Sequence, residues 1–264
     1  MTIIQAIILA VVEGLTEFLP ISSTAHMKFT NPIIGVVSTP FSDMFEIVIQ
    51  LAAILAVVVV YYKKFFDFSR LNFYVKLVIA VIPAIVFGLL LKKHIDSALS
   101  NLYFIAGVMI GGGILFLFAD NWFKAPRIDD EQQVSNRNAF VIGCYQVLSI
   151  VLPGFSRSAA TILGGMSQKL TRKAAAEFSF FLAVPTMLAA SVKTFWDLHK
   201  EHPEALNKEN ASLLGISSLV CFFVAIIVIR FFIGFLKKYG FKPWGYYRII
   251  VGLVMLVLLW RGIL

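Results

Sequence analysis

Long apolar runs separated by short charged or aromatic clusters dominate the chain. A helix needs about 20 apolar residues to cross a bilayer, and each of these runs is long enough for one crossing. Most of them end at clusters typical of the membrane interface, such as Tyr61–Lys64 or Trp244–Arg248. Inside the third run, Gly111–Gly113 predicts a close contact between two helices. The predicted spans are 44–62, 72–91, 102–119, 174–196, 212–236 and 245–263.

Two further apolar segments are interrupted by proline and polar residues. Residues 2–36 are broken around Pro20, and residues 139–168 are broken around Pro153. Because proline removes a backbone donor and interrupts a helix, each segment predicts a helix broken midway by a polar turn. The two segments align at an offset of 133 residues, which pairs Pro20 with Pro153 and Ser23 with Ser156. The offset is half the chain length, as expected of a duplicated protein.

The fold class predicted from these patterns is an all-α polytopic membrane protein with a single membrane domain, residues 1–264. Its two repeat halves are residues 1–132 and 133–264. Each half is expected to contain one re-entrant helical hairpin followed by three transmembrane helices. An odd number of crossings per half inverts the second half, so the polar turns of the two hairpins should meet near the middle of the bilayer.

Composition and charge agree with this topology. Hydrophobic residues make up 59% of the chain and charged residues only 14%, with a mean hydropathy of +0.85, whereas soluble domains contain about 25% charged residues. The net charge of +8 is carried by Lys and Arg between the spans, which argues against nucleic-acid binding. The six-crossing topology places 14 Lys and Arg on one side and 7 on the other, and an alternative with eight crossings gives 11 and 10. Only the first has the bias typical of cytoplasmic loops, and it places both termini outside the cytoplasm.

The first broken segment carries two acidic residues, Glu13 and Glu17, one helical turn apart on the same helix face. A carboxylate inside a bilayer costs several kcal/mol, so such groups line a cavity or pair with a cation. A wet interface is the alternative location. The polar turn that follows adds Ser22, Ser23, Thr24 and His26.

The second broken segment carries Arg157, the one Arg or Lys between Arg137 and Lys169. Its guanidinium suits bidentate contact with phosphate or carboxylate, and the helix that begins after Gly154 presents free N–H groups to an anion. A structural ion pair with Glu13 or Glu17 is the alternative. Together the two segments predict phosphate chemistry with a divalent cation, in which a carboxylate is ligand or base, a hydroxyl is the nucleophile and the arginine is a charge clamp.

Four acidic or amide residues near span ends are weaker candidates, the first of them Asp43 at the start of the first span. Glu46 and Gln50 share a face of the first span, either towards the same cavity or on a plain interfacial surface. Glu177 stands at the matching position of the second half and has the same two interpretations.

The motifs at residues 13–26 (EGLTEFLPISSTAH) and 153–161 (PGFSRSAAT) resemble the signatures of bacterial undecaprenyl-diphosphate phosphatases of the bacitracin-resistance type. The resemblance extends over essentially the whole chain, including the segment at residues 177–180. One departure is Ala25, which precedes His26 at a position where the family usually has glycine. Because a side chain restricts positive φ, the departure bears on the backbone geometry of this turn.

The resemblance implies hydrolysis of undecaprenyl diphosphate to undecaprenyl phosphate and inorganic phosphate, which recycles a lipid carrier for cell-wall synthesis. It implies a location in the bacterial inner membrane with a site that opens to the periplasm. It also implies Mg²⁺ or Ca²⁺ as cofactor, bound by Glu13 and Glu17. The catalytic residues it implies are Glu17, Ser23, His26 and Arg157, and the substrate-binding residues are Ser22, Thr24, Gly154, Ser156, Arg157, Ser158 and Thr161.

A transporter or flippase of an anionic lipid that acts without hydrolysis is the alternative function, since inverted repeats with polar turns at the midplane are common among carriers. The expected partners are a polyprenyl diphosphate and the bilayer, without nucleic acid. The oligomeric state stays open, and a homodimer is one arrangement.

Overall fold

The computed structural model describes residues 1–67, 69 and 71–264. The described residues form helices and connecting turns, and their one isolated bridge of extended backbone joins Ile128 to Leu170. The helices of the described chain are α1 Ile3–Thr16, α2 Ser23–Ile33, α3 Pro40–Val60, α4 Tyr62–Phe65, α5 Leu71–Leu90, α6 Lys92–Leu99, α7 Leu102–Trp122, α8 Asn136–Val151, α9 Arg157–Ser167, α10 Arg172–Glu201, α11 Lys208–Tyr239 and α12 Lys242–Trp260.

Among the described residues, six helices are long and apolar enough to cross a membrane: α3, α5, α7, α10, α11 and α12. They coincide with the six predicted spans, and the prediction of an all-α polytopic membrane protein is confirmed. Helices α10 and α11 have 30 and 32 residues, which is about 45 Å or more at 1.5 Å per residue. They therefore extend beyond the roughly 30 Å hydrocarbon core, and their polar ends form the additional turns.

Both interrupted segments form pairs of short helices, as the sequence predicts. Helices α1 and α8 have 14 and 16 residues, and α2 and α9 have 11 each. A helix of this length covers at most about 24 Å, which is less than the hydrocarbon core, so none of the four crosses it alone. Helix α1 packs on α2 and α8 packs on α9, which is the contact expected within a helical hairpin.

The order of elements is similar in the two halves of the chain. Each half has a pair of short helices and then three long ones, with the short α4 and α6 inserted in the first half. Helix α1 packs against α11 and α8 packs against α5, so each hairpin contacts the second long helix of the other half. The division at residue 132 and the inversion of the second half across the membrane stay predictions, since helix packing alone does not orient the chain in a bilayer.

Two glycines let α7 and α12 approach closely. A Cβ atom on Gly113 would lie 2.8 Å from the carbonyl oxygen of Gly245, and a Cβ on Gly245 would lie 2.8 Å from that of Gly113. A Cβ on Gly112 would meet the guanidinium of Arg248, whereas Gly111 faces open space. The predicted packing role of the glycine run is therefore confirmed for its second and third members and is wrong for the first.

The interfacial assignment of Trp244–Arg248 is wrong for two of its residues. Trp244 and Arg248 are buried, and Arg248 has no exposed surface. The positive charge of Arg248 consequently does not belong to a solvated loop. Its removal from the more basic side leaves 13 Lys and Arg against 7, so the positive-inside bias persists.

Candidate active site

The turn between α1 and α2, which we call the first tip (residues 17–23), brings a carboxylate to a hydroxyl. Ser22 has a φ of 72°, in the left-handed region, and its side-chain oxygen accepts from the Ala25 N–H to cap α2. Ser23 is the first residue of α2, and its hydroxyl donates to Glu17 Oε2 at 2.5 Å. A short bond of this kind pairs a candidate nucleophile with a candidate base.

Ala25 lies in the first turn of α2 and has a negative φ. The left-handed residue of the turn is Ser22, so the position before His26 does not require glycine. The Ala25 side chain is fully buried and packs with Phe29, Ile105 and Met109. Its methyl group therefore fills apolar space and leaves the geometry of the turn unchanged.

The turn between α8 and α9, which we call the second tip (residues 152–157), has a matching construction. Gly154 has a φ of 100°, and a Cβ there would lie 2.7 Å from the Ile105 carbonyl oxygen, so this position requires glycine. Ser156 has a φ of 80° and caps α9 through the Ala159 N–H. The capping serines Ser22 and Ser156 therefore correspond, which corrects the predicted pairing of Ser23 with Ser156 by one residue. Ser23 and Arg157 then occupy equivalent positions, each as the first residue of its helix.

The two tips are joined by Arg157. One terminal nitrogen donates to Glu17 Oε1 at 2.8 Å, and the other donates to the Ser179 carbonyl oxygen at 3.1 Å. The ion pair proposed as the alternative role of Arg157 is thus present in the structure. The buried Nε of the guanidinium has no hydrogen-bond acceptor in the described chain.

Glu13 is fully buried, and neither of its carboxyl oxygens accepts a hydrogen bond from the described residues. Its carboxyl group interacts with that of Glu17, one turn along α1. Two adjacent buried carboxyl groups require a proton or a cation between them. The oxygens are the hard ligands that Mg²⁺ and Ca²⁺ prefer. The described residues contain no group of three or more His, Cys, Asp or Glu that could hold a metal ion, so the protein would supply two carboxylates, which suffices for Mg²⁺ held jointly with substrate phosphates.

A cavity of about 750 Å³ borders both tips. Apolar residues such as Leu99, Ile150 and Met187 form another part of its wall, so the cavity suits a ligand with a polar and an apolar end. Glu46 and Gln50 also line it, which confirms the first of the two interpretations offered for them. The motif residues on its wall are Glu17, Ser22, Ser23, Thr24, Pro153, Gly154, Ser156 and Arg157.

Glu13, described above, and three further predicted site residues do not line the cavity. His26 Nδ1 lies 2.7 Å from the Ser22 carbonyl oxygen, and its Nε2 lies 2.8 Å from the Tyr247 hydroxyl. Ser158 and Thr161 have no exposed surface. The Ser158 hydroxyl donates to the Leu19 carbonyl oxygen at 3.0 Å, whereas that of Thr161 lies 2.6 Å from the Ser179 hydroxyl. The side chains of His26, Ser158 and Thr161 contact backbone carbonyl oxygens of the two tips without facing the cavity. Their predicted catalytic or substrate-binding roles stay predictions.

Glu177, the weaker candidate of the second half, lies outside this site. Its Oε2 is 2.8 Å from Lys64 Nζ, which also contacts Glu131 at 2.8 Å. The cluster joins α10 to the segment after α3 and to the connection between the two halves, so Glu177 belongs to an ion-pair network and does not line the cavity.

A family model described as bacitracin resistance protein BacA matches residues 6–254 of the chain. The chain belongs to this family. An undecaprenyl-diphosphatase of Porphyromonas gingivalis is 48% identical over 279 residues, which cover 100% of this chain and 99% of the relative. One from Flavobacterium psychrophilum is 49% identical over 258 residues (98% and 96%), and one from Campylobacter jejuni is 43% identical over 264 residues (99% and 96%). The family resemblance inferred from the two motifs is confirmed.

Sequence reasoning missed Arg248 in this BacA-family site. Its buried guanidinium joins both tips to α7, and it has no carboxylate partner among the described residues. An arginine inside an apolar span is the signal that identifies it, but its place next to Tyr246 and Tyr247 resembled an interfacial cluster. The carbonyl oxygens that accept from it are those of Pro20, Val108, Met109, Gly154 and Phe155.

Proposed function

We propose that this BacA-family protein hydrolyses undecaprenyl diphosphate to undecaprenyl phosphate and inorganic phosphate in the bacterial inner membrane, and so recycles the lipid carrier for cell-wall synthesis. Relatives named undecaprenyl-diphosphatase that align over nearly the whole chain support the proposal and disfavour a carrier without hydrolysis. The observation that carries it is the 2.5 Å hydrogen bond from the Ser23 hydroxyl to Glu17, beside Arg157.

The chemistry follows from these three side chains. Glu17 accepts the proton of Ser23 while Ser23 Oγ attacks the terminal phosphorus. The bond from that phosphorus to the bridging oxygen breaks, and the lipid monophosphate leaves with the electron pair. Arg157 stabilises the charge on the transferred phosphoryl group. Water then attacks the phosphoserine, Ser23 Oγ leaves with a proton from Glu17, and inorganic phosphate is released.

Substrate binding would redirect Arg157. In the structure its guanidinium is bound to Glu17. A phosphate competes for it, because phosphate carries more charge than a carboxylate and offers bidentate contacts. Movement of Arg157 from Glu17 to the phosphate frees Glu17 to act as a base. The base therefore becomes active when the substrate arrives.

Glu13 and Glu17 would hold the divalent cation, Mg²⁺ or Ca²⁺. The unpaired oxygens of Glu13 and their contact with Glu17 support this assignment. When bound, such a cation neutralises negative charge on the phosphates. A homodimer stays a prediction.

We place the mouth of the cavity on the periplasmic side. Residues of α6 and the first turn of α3, including Asp43 and Asp96, line the cavity. The six-crossing topology assigns these segments to the side with fewer Lys and Arg, which is the non-cytoplasmic side under the positive-inside rule.

Phosphate release from a polyprenyl diphosphate by detergent-solubilised protein with Mg²⁺ tests the function. We expect Ser23→Ala, Glu17→Ala and Arg157→Ala each to lower the rate by at least about 100-fold, since each removes a group from the reacting centre. Ser167→Ala is the control, because the Ser167 hydroxyl bonds a carbonyl of its own helix. Wild-type rates in all three variants would contradict the assignment of these residues to the reacting centre. A wild-type protein that binds the lipid without releasing phosphate would favour the carrier.

A further inference from the structure

A positively charged side chain that belongs to neither motif, that of Lys28, lines the cavity. Lys28 lies on α2, one helical turn after Thr24, and lines the cavity together with Ser23. Helical side chains are inclined towards the helix N-terminus, so that of Lys28 leaves the helix on the side of the first tip. Among the cavity-lining residues that the structure describes, the cations are Lys28 and Arg157.

The partner of Lys28 in the structure is exchangeable. Lys28 Nζ lies 3.2 Å from Glu46 Oε2, and the Lys28 side chain is 31% exposed. A partly exposed pair of this kind contributes little to stability. Glu46 also accepts a hydrogen bond from the side-chain amide of Asn31, so its carboxylate keeps a donor when Lys28 leaves.

The charge of the cavity wall shows why a second cation is needed. Four acidic residues line the cavity with the two cations, and the charge of Arg157 is shared with Glu17. A diphosphate has two phosphate groups, and a single guanidinium engages one of them bidentately. The other phosphate would meet acidic residues of the wall unless a positive charge besides Arg157 and the divalent cation at Glu13 and Glu17 faces it. Lysine, a point charge on a flexible stem, suits this task. The acidic residues of the wall are Glu17, Asp43, Glu46 and Asp96.

We propose that Lys28 binds the lipid-linked phosphate of a diphosphate substrate and thereby makes the cavity select diphosphates over monophosphates. The proposal rests on the function proposed above, in which Ser23 and Arg157 engage the terminal phosphate. When the bond to the bridging oxygen breaks, its electron pair stays with the lipid-linked phosphate. Lys28, released from Glu46, then stabilises the charge that forms on this leaving group.

A comparison of the affinities for inorganic pyrophosphate and for inorganic phosphate distinguishes the two phosphate positions, because only pyrophosphate can occupy both. The measurement is calorimetric titration of the solubilised protein at fixed free Mg²⁺. We expect Lys28→Met to weaken pyrophosphate binding about 10-fold and phosphate binding less than about 2-fold. Lys28→Arg should retain pyrophosphate binding, because the charge is kept. Glu46→Gln should tighten it, because Lys28 loses its competing partner.

The matched control is Lys93→Met, which removes an exposed lysine of α6 that does not line the cavity and should leave both affinities unchanged. In turnover of farnesyl diphosphate, Lys28→Met should lower kcat/KM about 10-fold, and Lys28→Arg should restore it. Equal weakening of both anions, or unchanged pyrophosphate binding, would overturn the assignment of Lys28. A wild-type protein that binds pyrophosphate through Lys28 but releases no phosphate from farnesyl diphosphate would contradict the proposed function and leave the Lys28 subsite standing.

Discussion

His26 belongs to the first motif by sequence, yet its imidazole is held on the far side of α2 from the cavity. One ring nitrogen contacts the Ser22 carbonyl oxygen and the other contacts the Tyr247 hydroxyl, and the two rings stack with centroids 5.7 Å apart. Since Ser22 is the cap of α2, His26 ties the first tip to α12. In this geometry His26 affects Ser23 indirectly, because it fixes the position of α2, on which both residues lie.

This geometry predicts that His26 and Tyr247 act as one unit. We expect His26→Ala and Tyr247→Phe each to lower the turnover of a polyprenyl diphosphate about 10-fold. The double variant should be little worse than either single one, with a coupling of about 1 kcal/mol, because both changes break the same contact. A double-mutant cycle on kcat/KM measures the coupling. Fully additive losses would instead mean that His26 contacts the substrate directly.

At the scale of elements, Arg248 lies at the contact between α7 and α12, and its guanidinium donates hydrogen bonds to carbonyl oxygens of both tips. The guanidinium occupies the space above Gly112, since a methyl group there would meet its terminal nitrogen. A buried cation with only neutral carbonyl acceptors is kept in place by its hydrogen bonds and by the surrounding shape. The two tips therefore depend on a glycine of α7, a helix that contributes no side chain to the cavity wall.

Adjacent glycines of α7 provide a matched test of this dependence. Gly112→Ala should lower the free energy of unfolding by about 1–3 kcal/mol through overpacking, and it should lower activity as the guanidinium shifts. Gly111→Ala faces open space and should be neutral or stabilising by up to about 1 kcal/mol, since alanine favours helix. Thermal unfolding in detergent and phosphate release measure the two effects. Equal behaviour of the two variants would contradict the role assigned to Gly112.

The elements themselves could be predicted from sequence, but the contacts across the fold could not. Apolar runs predicted the six spans, and Pro20 and Pro153 predicted the two breaks. The predicted alignment of the first tip with the second tip was wrong by one residue, because the correct alignment depends on which serine of each tip adopts a positive φ. Arg248 was missed because the tyrosines beside it resembled an interfacial cluster, and its acceptors could not be predicted because they lie 93 to 228 residues away in the chain. No local pattern encodes such distant contacts.

At the scale of the whole molecule, an ion-pair cluster joins the two halves on the predicted cytoplasmic side. Lys64 of the first half bridges Glu131 and Glu177. Burial raises the pKa of Glu131 from its ordinary value of 4.5 to about 6. The hydrogen bond from Lys64 is the next largest effect, and it lowers this pKa. This carboxyl group therefore titrates near pH 6 and makes the junction of the halves sensitive to pH.

The sign of this sensitivity follows from linkage. The folded protein binds a proton at Glu131 more tightly than the unfolded chain does, so its contribution to stability is complete below pH 4.5 and is lost as the pH rises through about 6. We expect the Tm of the wild type to rise, relative to that of Glu131→Gln, as the pH falls from about 7 to 5. Glu209→Gln, which changes an exposed residue, is the control. A relative decrease of Tm over this interval would contradict the assignment.

The ion pair between Glu17 and Arg157 also has a consequence for biogenesis, because 140 residues separate its partners in the chain. A ribosome that adds about 5–20 residues per second completes Arg157 on the order of 10 s after Glu17. During this interval the nascent first hairpin holds the Glu17 carboxylate without its arginine partner, and a charged group in the bilayer costs several kcal/mol. We therefore expect the first hairpin to gain the stabilisation of this ion pair only after the second hairpin has been translated, so that the order of synthesis differs from the order of assembly.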